Sequence, residues 1–532
     1  MKTLVIGIDA ACLSIIEPLI SEGTVPSIAT QYEQGIVSEL KSQVPPWTAS
    51  AWPSLYTGMN PGKHGVYDFL TYDGYDWSLV NSTSVAQRAV WEYVDINGFA
   101  SVVVNVPVTN PPGDIDGAVI PGYLAPEEPD VHPPGILDDV RDEVGDYPIY
   151  AEEETNQTRN EQSKYNEYLE LTRLRGQTFR YLVNRFDPKF GFVQFQKTDA
   201  VFHDFPGDEE KVKGIYRAVD TQIGKVLSDI NPDLVMIVSD HGIGRYNGYN
   251  FHVNKYLQSG GYVQSTTDGR GVPSWVKLKN EELIREKDFK RATLKLVAHL
   301  AKSIGITHQR GKRILEKFGL VNFFRRHIPM GVVYAASEVI DYENSIAYYR
   351  SPSELGIRIN LKGREPSGQV PPDEYHTVRE ELISYLAEAR TPDNQPVFEE
   401  VATREEYYEG DHAPEAADIV LVPSDYQHSL SGILDNMFTD PEPYNHKPDG
   451  IMIASGPQVD PSTSIEDPHL FDITPTALAS MNIPVNNDMD GRILPFVHEV
   501  SRKSYSDYSG PETVGTHDDE LEQRLSDLGY LE

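Results

Sequence analysis

Short runs of consecutive apolar residues recur along the chain, alternating with longer stretches whose apolar positions fall three and four apart. Residues 2–8 (KTLVIGI), 100–106 (ASVVVNV), 190–195 (FGFVQF), 233–238 (DLVMIV), 417–422 (ADIVLV) and 449–454 (DGIMIA) are of the first kind. A run that is apolar on both faces and too short for a helix predicts a strand buried in a parallel sheet. Residues 37–40 predict one more short strand, and residues 345–370 predict β structure broken by turns. Helical spacing covers residues 10–22, 86–97, 161–184, 209–227, 375–390, 471–481 and 518–530, and the first two stretches stop at Gly23 and Gly98. Strands and helices alternating in this way predict an α/β fold with a doubly wound, mostly parallel central sheet flanked by helices. Residues 107–148, rich in Pro and Gly and without a period, predict an irregular excursion. The pattern divides the chain into a core of residues 1–260 and 395–500, an inserted helical and β cap of residues 261–394, and an acidic tail with a C-terminal helix over residues 501–532.

The chain has 532 residues, 39% of them hydrophobic, which suits a folded protein with more than one lobe. Its 81 acidic and 46 basic residues leave a net charge of -35. Like charge at that density repels itself in dilute buffer and is screened in strong salt, so the surface reads as halophile-like and disfavours nucleic acid. Residues 275–330 reverse the sign, with fourteen Lys or Arg against five Asp or Glu. Such a helix-like basic segment packs as a cap on the acidic body, or meets an anionic substrate or an anionic membrane surface. Cys12 is the one cysteine, which excludes an internal disulfide. The first residues lack the features of a secretory signal, and no apolar run reaches the roughly 18 residues of a membrane span. The expectation is a cytoplasmic protein without a transmembrane segment, with peripheral membrane contact left open.

Candidate chemistry starts at residues 45–69, PPWTASAWPSLYTGMNPGKHGVYDF. Thr48 falls where a helix N-cap would sit, beside backbone N–H groups that favour phosphate. Ala49, Ser50 and Ala51 are small enough to let a substrate approach. Alone, Thr48 reads as an ordinary cap, and an Asp–His pair after a strand as ordinary structure. The set changes the reading. Asp9, Asp199, Asp240 and His241 each follow an apolar strand run, His203 lies four residues after Asp199, and His446 precedes the run at 449–454. Functional groups gather at the carboxyl ends of strands in such sheets. The i, i+4 spacing lets Asp199 and His203 face one ion from one helical turn. Mixed carboxylate and imidazole ligands suit Zn²⁺ or Mn²⁺ better than Mg²⁺ or Ca²⁺, with Zn²⁺ the first expectation. Six ligands are too many for one tetrahedral ion and suit two divalent ions, with Thr48 completing the set. Two metals roughly 4 Å apart serve displacement at phosphorus, so the set points to phosphoryl transfer with Thr48 as nucleophile.

With these residues assembled, the chain resembles the alkaline phosphatase superfamily and, within it, the type I phosphodiesterase/nucleotide pyrophosphatase family. VIGIDAA resembles the first metal-ligand strand, the stretch around Thr48 the nucleophile motif, and KTDAVFH and VSDHGIG the two segments that each give an Asp and a His. NHKPDGIMIASGP resembles the last histidine segment, FDITPTALASMNIPVNNDMDGRIL the closing segment, and LEQRLSDLGYLE the C-terminal helix. The resemblance implies one metal site from Asp199, His203 and His446, and a second from Asp9, Asp240 and His241, bridged to Thr48. It implies a two-metal phosphohydrolase, foremost a phosphodiesterase or nucleotide pyrophosphatase working through a covalent Thr48 phospho-intermediate. The alternative is a phosphomonoesterase or phosphotransferase on a lipid- or sugar-linked phosphate. The expected partner is a small-molecule phosphate ester, a nucleotide or a lipid-linked sugar among them.

Overall fold

The computed structural model describes residues 1–151, 160–266, 338–508 and 518–527. A seven-stranded sheet forms its centre, in the order Ile36–Lys41, Asp449–Ser455, Leu234–Val238, Thr3–Ile8, Phe190–Phe195, Ser101–Val104, Gly117–Ile120. Asp449–Ser455 runs antiparallel to both of its neighbours, and every other pairing is parallel. Thr3–Ile8, Phe190–Phe195 and Leu234–Val238 are buried at every position, which is why they read as unbroken apolar runs. Register places Gly7 beside Gln194 on one side and Val238 on the other. The carboxyl ends of three adjacent strands therefore open side by side, and the site grows there.

The long helices Glu161–Phe186 and Glu209–Ile230 pack on each other. Helix Thr48–Thr57 is buried along its whole length and ends at Gly58, whose φ of 71° closes it in the left-handed region. Trp52 of this helix passes under the central strand, and a Cβ at Gly7 would strike its ring. Among the described residues, no helix is long and apolar enough to cross a membrane.

Several elements differ from the sequence pattern. The helices expected at 10–22 and 86–97 are shorter, Leu13–Ser21 and Val90–Ile96, and a further helix spans Pro26–Gln34. The excursion at 107–148 holds the edge strand Gly117–Ile120 and the helix Ile136–Val144. Both are short and set among prolines, so neither shows a period over a usable window. Thr48 is the first helical residue, and the cap position belongs to Trp47.

A second, antiparallel sheet has the order Ala347–Tyr349, Gly356–Ile359, Ile419–Pro423, Phe398–Thr403. The apolar run at 417–422 pairs into this sheet, so the expected boundary near residue 395 falls inside the stretch that builds it. The chain returns through Tyr444–Lys447, which pairs with Gly242–Arg245. The basic stretch 275–330 lies outside the described residues.

Candidate metal centre and nucleophile

Each functional side chain is fixed by the backbone that precedes it. The Asp9 amide donates to Phe195 O at 3.1 Å, continuing the ladder one residue past the strand. Thr198 Oγ1 donates to Asp9 O at 2.7 Å and lies 3.0 Å from Phe195 O, which locks the start of helix Lys197–Asp204 to the strand ends. That helix carries Asp199 and His203. Ser239 Oγ donates to Ala11 O at 2.6 Å, and the Ala10 amide donates to Asp240 Oδ1 at 3.3 Å, so the turn after Leu234–Val238 is tied to the turn after Thr3–Ile8. His446 arrives from the far end of the chain, opposite Ile243 in the two-stranded ladder.

The structure brings all seven expected residues together. Thr48 Oγ1 lies 3.2 Å from His241 Nε2. The same nitrogen is 3.2 Å from Asp240 Oδ2 and 3.7 Å from Asp9 Oδ1. Asp199 Oδ1 is 3.3 Å from His203 Nε2 and 3.5 Å from His446 Nε2. The rings of His241 and His446 stack at 3.8 Å. Ligand atoms within 4.8 Å of one another form two groups, Asp9–Asp240–His241 and Asp199–His241–His446. The first is the grouping implied by resemblance. In the second, His241 stands where His203 was expected, and His203 borders that group through Asp199.

The surroundings aim the ligand atoms inward. His241 Nδ1 lies 3.0 Å from Gly242 O, and His446 Nδ1 lies 3.2 Å from Pro46 O. A carbonyl only accepts, so each Nδ1 carries the proton and each Nε2 turns a lone pair to the cluster. Asp9 Oδ2 accepts from Gln194 Nε2 at 2.7 Å and Trp52 Nε1 at 3.4 Å. Composition and motif spacing do not single out Gln194 or Trp52. The signal for Gln194 is a lone polar residue inside the apolar run FGFVQF.

The sequence profile of the type I phosphodiesterase / nucleotide pyrophosphatase family matches residues 3–449. The chain belongs to this family. Among solved structures, the phosphonoacetate hydrolase of Sinorhizobium meliloti 1021 in complex with phosphonoformate aligns with a TM-score of 0.52 at 14% identity, covering 90% of this chain and 95% of that one. Its complex with phosphonoacetate aligns with a TM-score of 0.51 at 13% identity over the same shares. Murine ectonucleotide pyrophosphatase / phosphodiesterase 5 aligns with a TM-score of 0.47 at 13% identity, over 91% of this chain and 95% of that one. The first two likenesses are ones of fold. No curated protein matches the chain by sequence. As a member of this family, the protein is a phosphoester hydrolase.

The electrostatics of this phosphodiesterase-family site fit cations. Asp9 Oδ1, Asp199 Oδ1 and Asp240 Oδ2 are buried and accept no well-formed hydrogen bond among the described residues. Burial, then the charges of Asp240 and Asp199, push the Asp9 pKa well up, and burial also raises Asp240. Burial acts to raise Asp199 too, but His203 and His446 outweigh it and hold that carboxyl well below its usual range. Burial alone would lower His203, but the Asp199 charge lifts it to about 9. Burial, then the neighbouring His241, lowers His446 to about 3. No Lys or Arg among the described residues pairs with these three acids. Carboxylate oxygens without a well-formed hydrogen bond among the described residues and inward imidazole nitrogens make a candidate donor set for a metal ion.

Proposed function

We propose that the protein cleaves a phosphodiester or pyrophosphate bond with Thr48 as nucleophile, at a centre that takes two divalent cations. The observation that carries this reading is the trio of buried carboxylate oxygens that accept no well-formed hydrogen bond among the described residues, set with the Nε2 of His241 and His446 around the Thr48 hydroxyl. Asp9, Asp240 and His241 would hold one ion. Asp199 and His446 would hold the other, with His203 beside Asp199 completing its ligands. When bound, the ions supply the positive charge that favours an ionised nucleophile and offsets the charge of the phosphoryl oxygens. The mixed ligand set suits Zn²⁺, with Mn²⁺ second.

The chain's own groups then do the following. His241 lies within hydrogen-bond reach of Thr48 Oγ1 and keeps the hydroxyl turned to the cluster. Oγ1 bonds to phosphorus as the bond from phosphorus to the leaving oxygen breaks, which leaves a phosphorylated or nucleotidylated Thr48. Water cleaves that ester and restores the hydroxyl. The first intrahelical bonds run from Ser50 and Ala51 N–H to Trp47 O, so the amides of Thr48 and Ala49 lack acceptors within the helix and would be available to the phosphoryl oxygens. Gln194 and Trp52 hold Asp9 by its outer oxygen and leave the inner one for the ion. The substrate is a small-molecule phosphoester, and the acidic surface suits work in high salt.

The test compares hydrolysis of bis-p-nitrophenyl phosphate, p-nitrophenyl phosphate and p-nitrophenyl sulfate by metal-analysed protein, with and without chelator. Chelator-sensitive preference for the diester is the expected result. Preference for either other ester, or turnover indifferent to chelator, overturns the reading.

A further inference from the structure

Behind the candidate ligand Asp9 the polar groups continue for another layer. Gln194 Nε2 donates to Asp9 Oδ2 at 2.7 Å. Gln194 is held in turn by Asn105, whose Nδ2 donates to Gln194 O at 3.0 Å and to Gln194 Oε1 at 2.9 Å. The three residues come from three successive strands of the central sheet. Asp9 follows Thr3–Ile8, Gln194 is next to the end of Phe190–Phe195, and Asn105 follows Ser101–Val104. All three are buried.

The polarity of this chain is set from its outer end. A backbone carbonyl only accepts, so the Asn105 atom that faces Gln194 O is the NH2 nitrogen. The same nitrogen faces the near atom of the Gln194 amide, which is therefore its oxygen. The far atom is the nitrogen, and Asp9 receives a donor. The reversed amide would set donor against donor at Asn105 and acceptor against acceptor at Asp9. Trp52 Nε1 also reaches Asp9 Oδ2, at 3.4 Å. Asp9 Oδ1 accepts no well-formed hydrogen bond among the described residues. The backbone at Asn105 fits the same role. Its φ of 64° is left-handed, a conformation that asparagine adopts more readily than most residues. Its amide donates to Ile120 O at 2.8 Å, and from that turn the side chain reaches back to Gln194.

We propose that Asn105 is a positioning residue of the metal centre. Through the Gln194 amide it holds Asp9 with one oxygen bound by the protein and the other left for the cation. The proposal rests on the metal-centre reading above. Asn105 acts only through Gln194.

The test measures Zn²⁺ affinity by competition with a chromophoric chelator. It compares the wild type, Asn105→Gly, Asn105→Ala, Gln194→Leu and the two double variants. Glycine keeps the left-handed backbone and removes the side chain, whereas alanine removes the side chain and strains the backbone. Each single substitution at Asn105 is expected to weaken Zn²⁺ binding by about three- to tenfold, less than loss of an immediate partner of the ligand. In the Gln194→Leu background each is expected to change affinity by less than about twofold, because the link they act through is gone. Circular dichroism and the melting temperature establish that each variant is folded. An unchanged affinity in Asn105→Gly overturns the proposal. So do effects that multiply with that of Gln194→Leu, and so does loss of the fold in both single variants, which would make Asn105 a structural residue. A wild type that takes up no Zn²⁺ overturns the metal-centre reading, and the proposal falls with it.

Discussion

Two clusters of buried acid sit in this molecule and are built on opposite rules. In the second sheet, Asp418 is fully buried and every oxygen is spoken for. Oδ1 accepts from Arg364 Nη1 at 2.7 Å, Arg404 Nη1 at 3.0 Å and the Tyr375 hydroxyl at 2.9 Å. Oδ2 accepts from Arg364 Nη2 at 2.6 Å and the Ile359 amide at 2.7 Å. Glu365 accepts from Arg358 and Arg364 beside it. Burial acts to raise the Asp418 pKa, but Arg364 and then Arg358 outweigh it and bring it below the usual range. At the end of the central sheet, Asp9, Asp199 and Asp240 are buried too, no arginine among the described residues answers them, and each leaves an oxygen without a well-formed hydrogen bond there. One cluster carries its cations in the sequence, and the other is arranged to take them from solution. The same buried residue type is a lock in one place and a socket in the other.

The sharpest way to break that comparison is Thr48→Ala. It is expected to lower turnover of bis-p-nitrophenyl phosphate by about 1,000-fold or more, while metal content, read by elemental analysis, stays that of the wild type. A variant that loses its metals along with activity would make Thr48 a structural member of the socket.

Next in size is Asp418→Asn. Removing one partner of a buried, fully paired charge is expected to cost about 3–5 kcal/mol in a denaturant titration. The sign with pH follows from the lowered folded-state pKa. The stabilisation is present above the unfolded value of about 4 and is lost as pH falls through the folded one. The variant therefore flattens the acid limb of the stability curve.

Gln194→Leu comes third. It leaves every candidate ligand in place but removes the shorter of the two hydrogen bonds to the outer oxygen of Asp9, with an expected loss of about 10- to 100-fold in activity or metal affinity. No change in either would remove Gln194 from the positioning of Asp9.

The smallest effect has the opposite sign. In chelator, Asp240→Asn is expected to raise stability by about 1 kcal/mol, because it removes one of three crowded carboxylates. Burial raises the Asp9 and Asp240 pKa values in the folded state. Their contribution to the metal-stripped protein is therefore full below about pH 4 and is lost as pH rises through the folded values. The variant weakens that decline. If Asp240→Asn and Asp418→Asn both destabilise the stripped protein, the two clusters are not of different kinds.

What the sequence showed, and what it hid, follows the same division. The central strands are apolar on both faces and could be read as unbroken runs, so the acids and histidines at their ends stood out by position. The second sheet has no such signature. Its strands Ala347–Tyr349 and Gly356–Ile359 are very short, and their partner at Ile419–Pro423 comes much later in the chain. Asp418 stands inside ADIVLV, which looks like another central strand until its arginines are seen beside it. The share of His241 in both ligand groups depends on a ring stacked on His446, a contact no spacing encodes.

The ladder that seats His446 opposite Ile243 has a consequence for how the protein is made. Thr48 and the ligands up to His241 leave the ribosome early, and the central strands at 3–8, 190–195 and 234–238 can pair as soon as they emerge. The imidazole of His446 arrives only after the second sheet has been translated, and it pairs back across that whole interval. During synthesis the nascent core therefore carries a carboxylate-rich pocket that lacks its last ligand. The group of Asp9, Asp240 and His241 is complete before the second sheet is translated, whereas the group around Asp199 waits for His446.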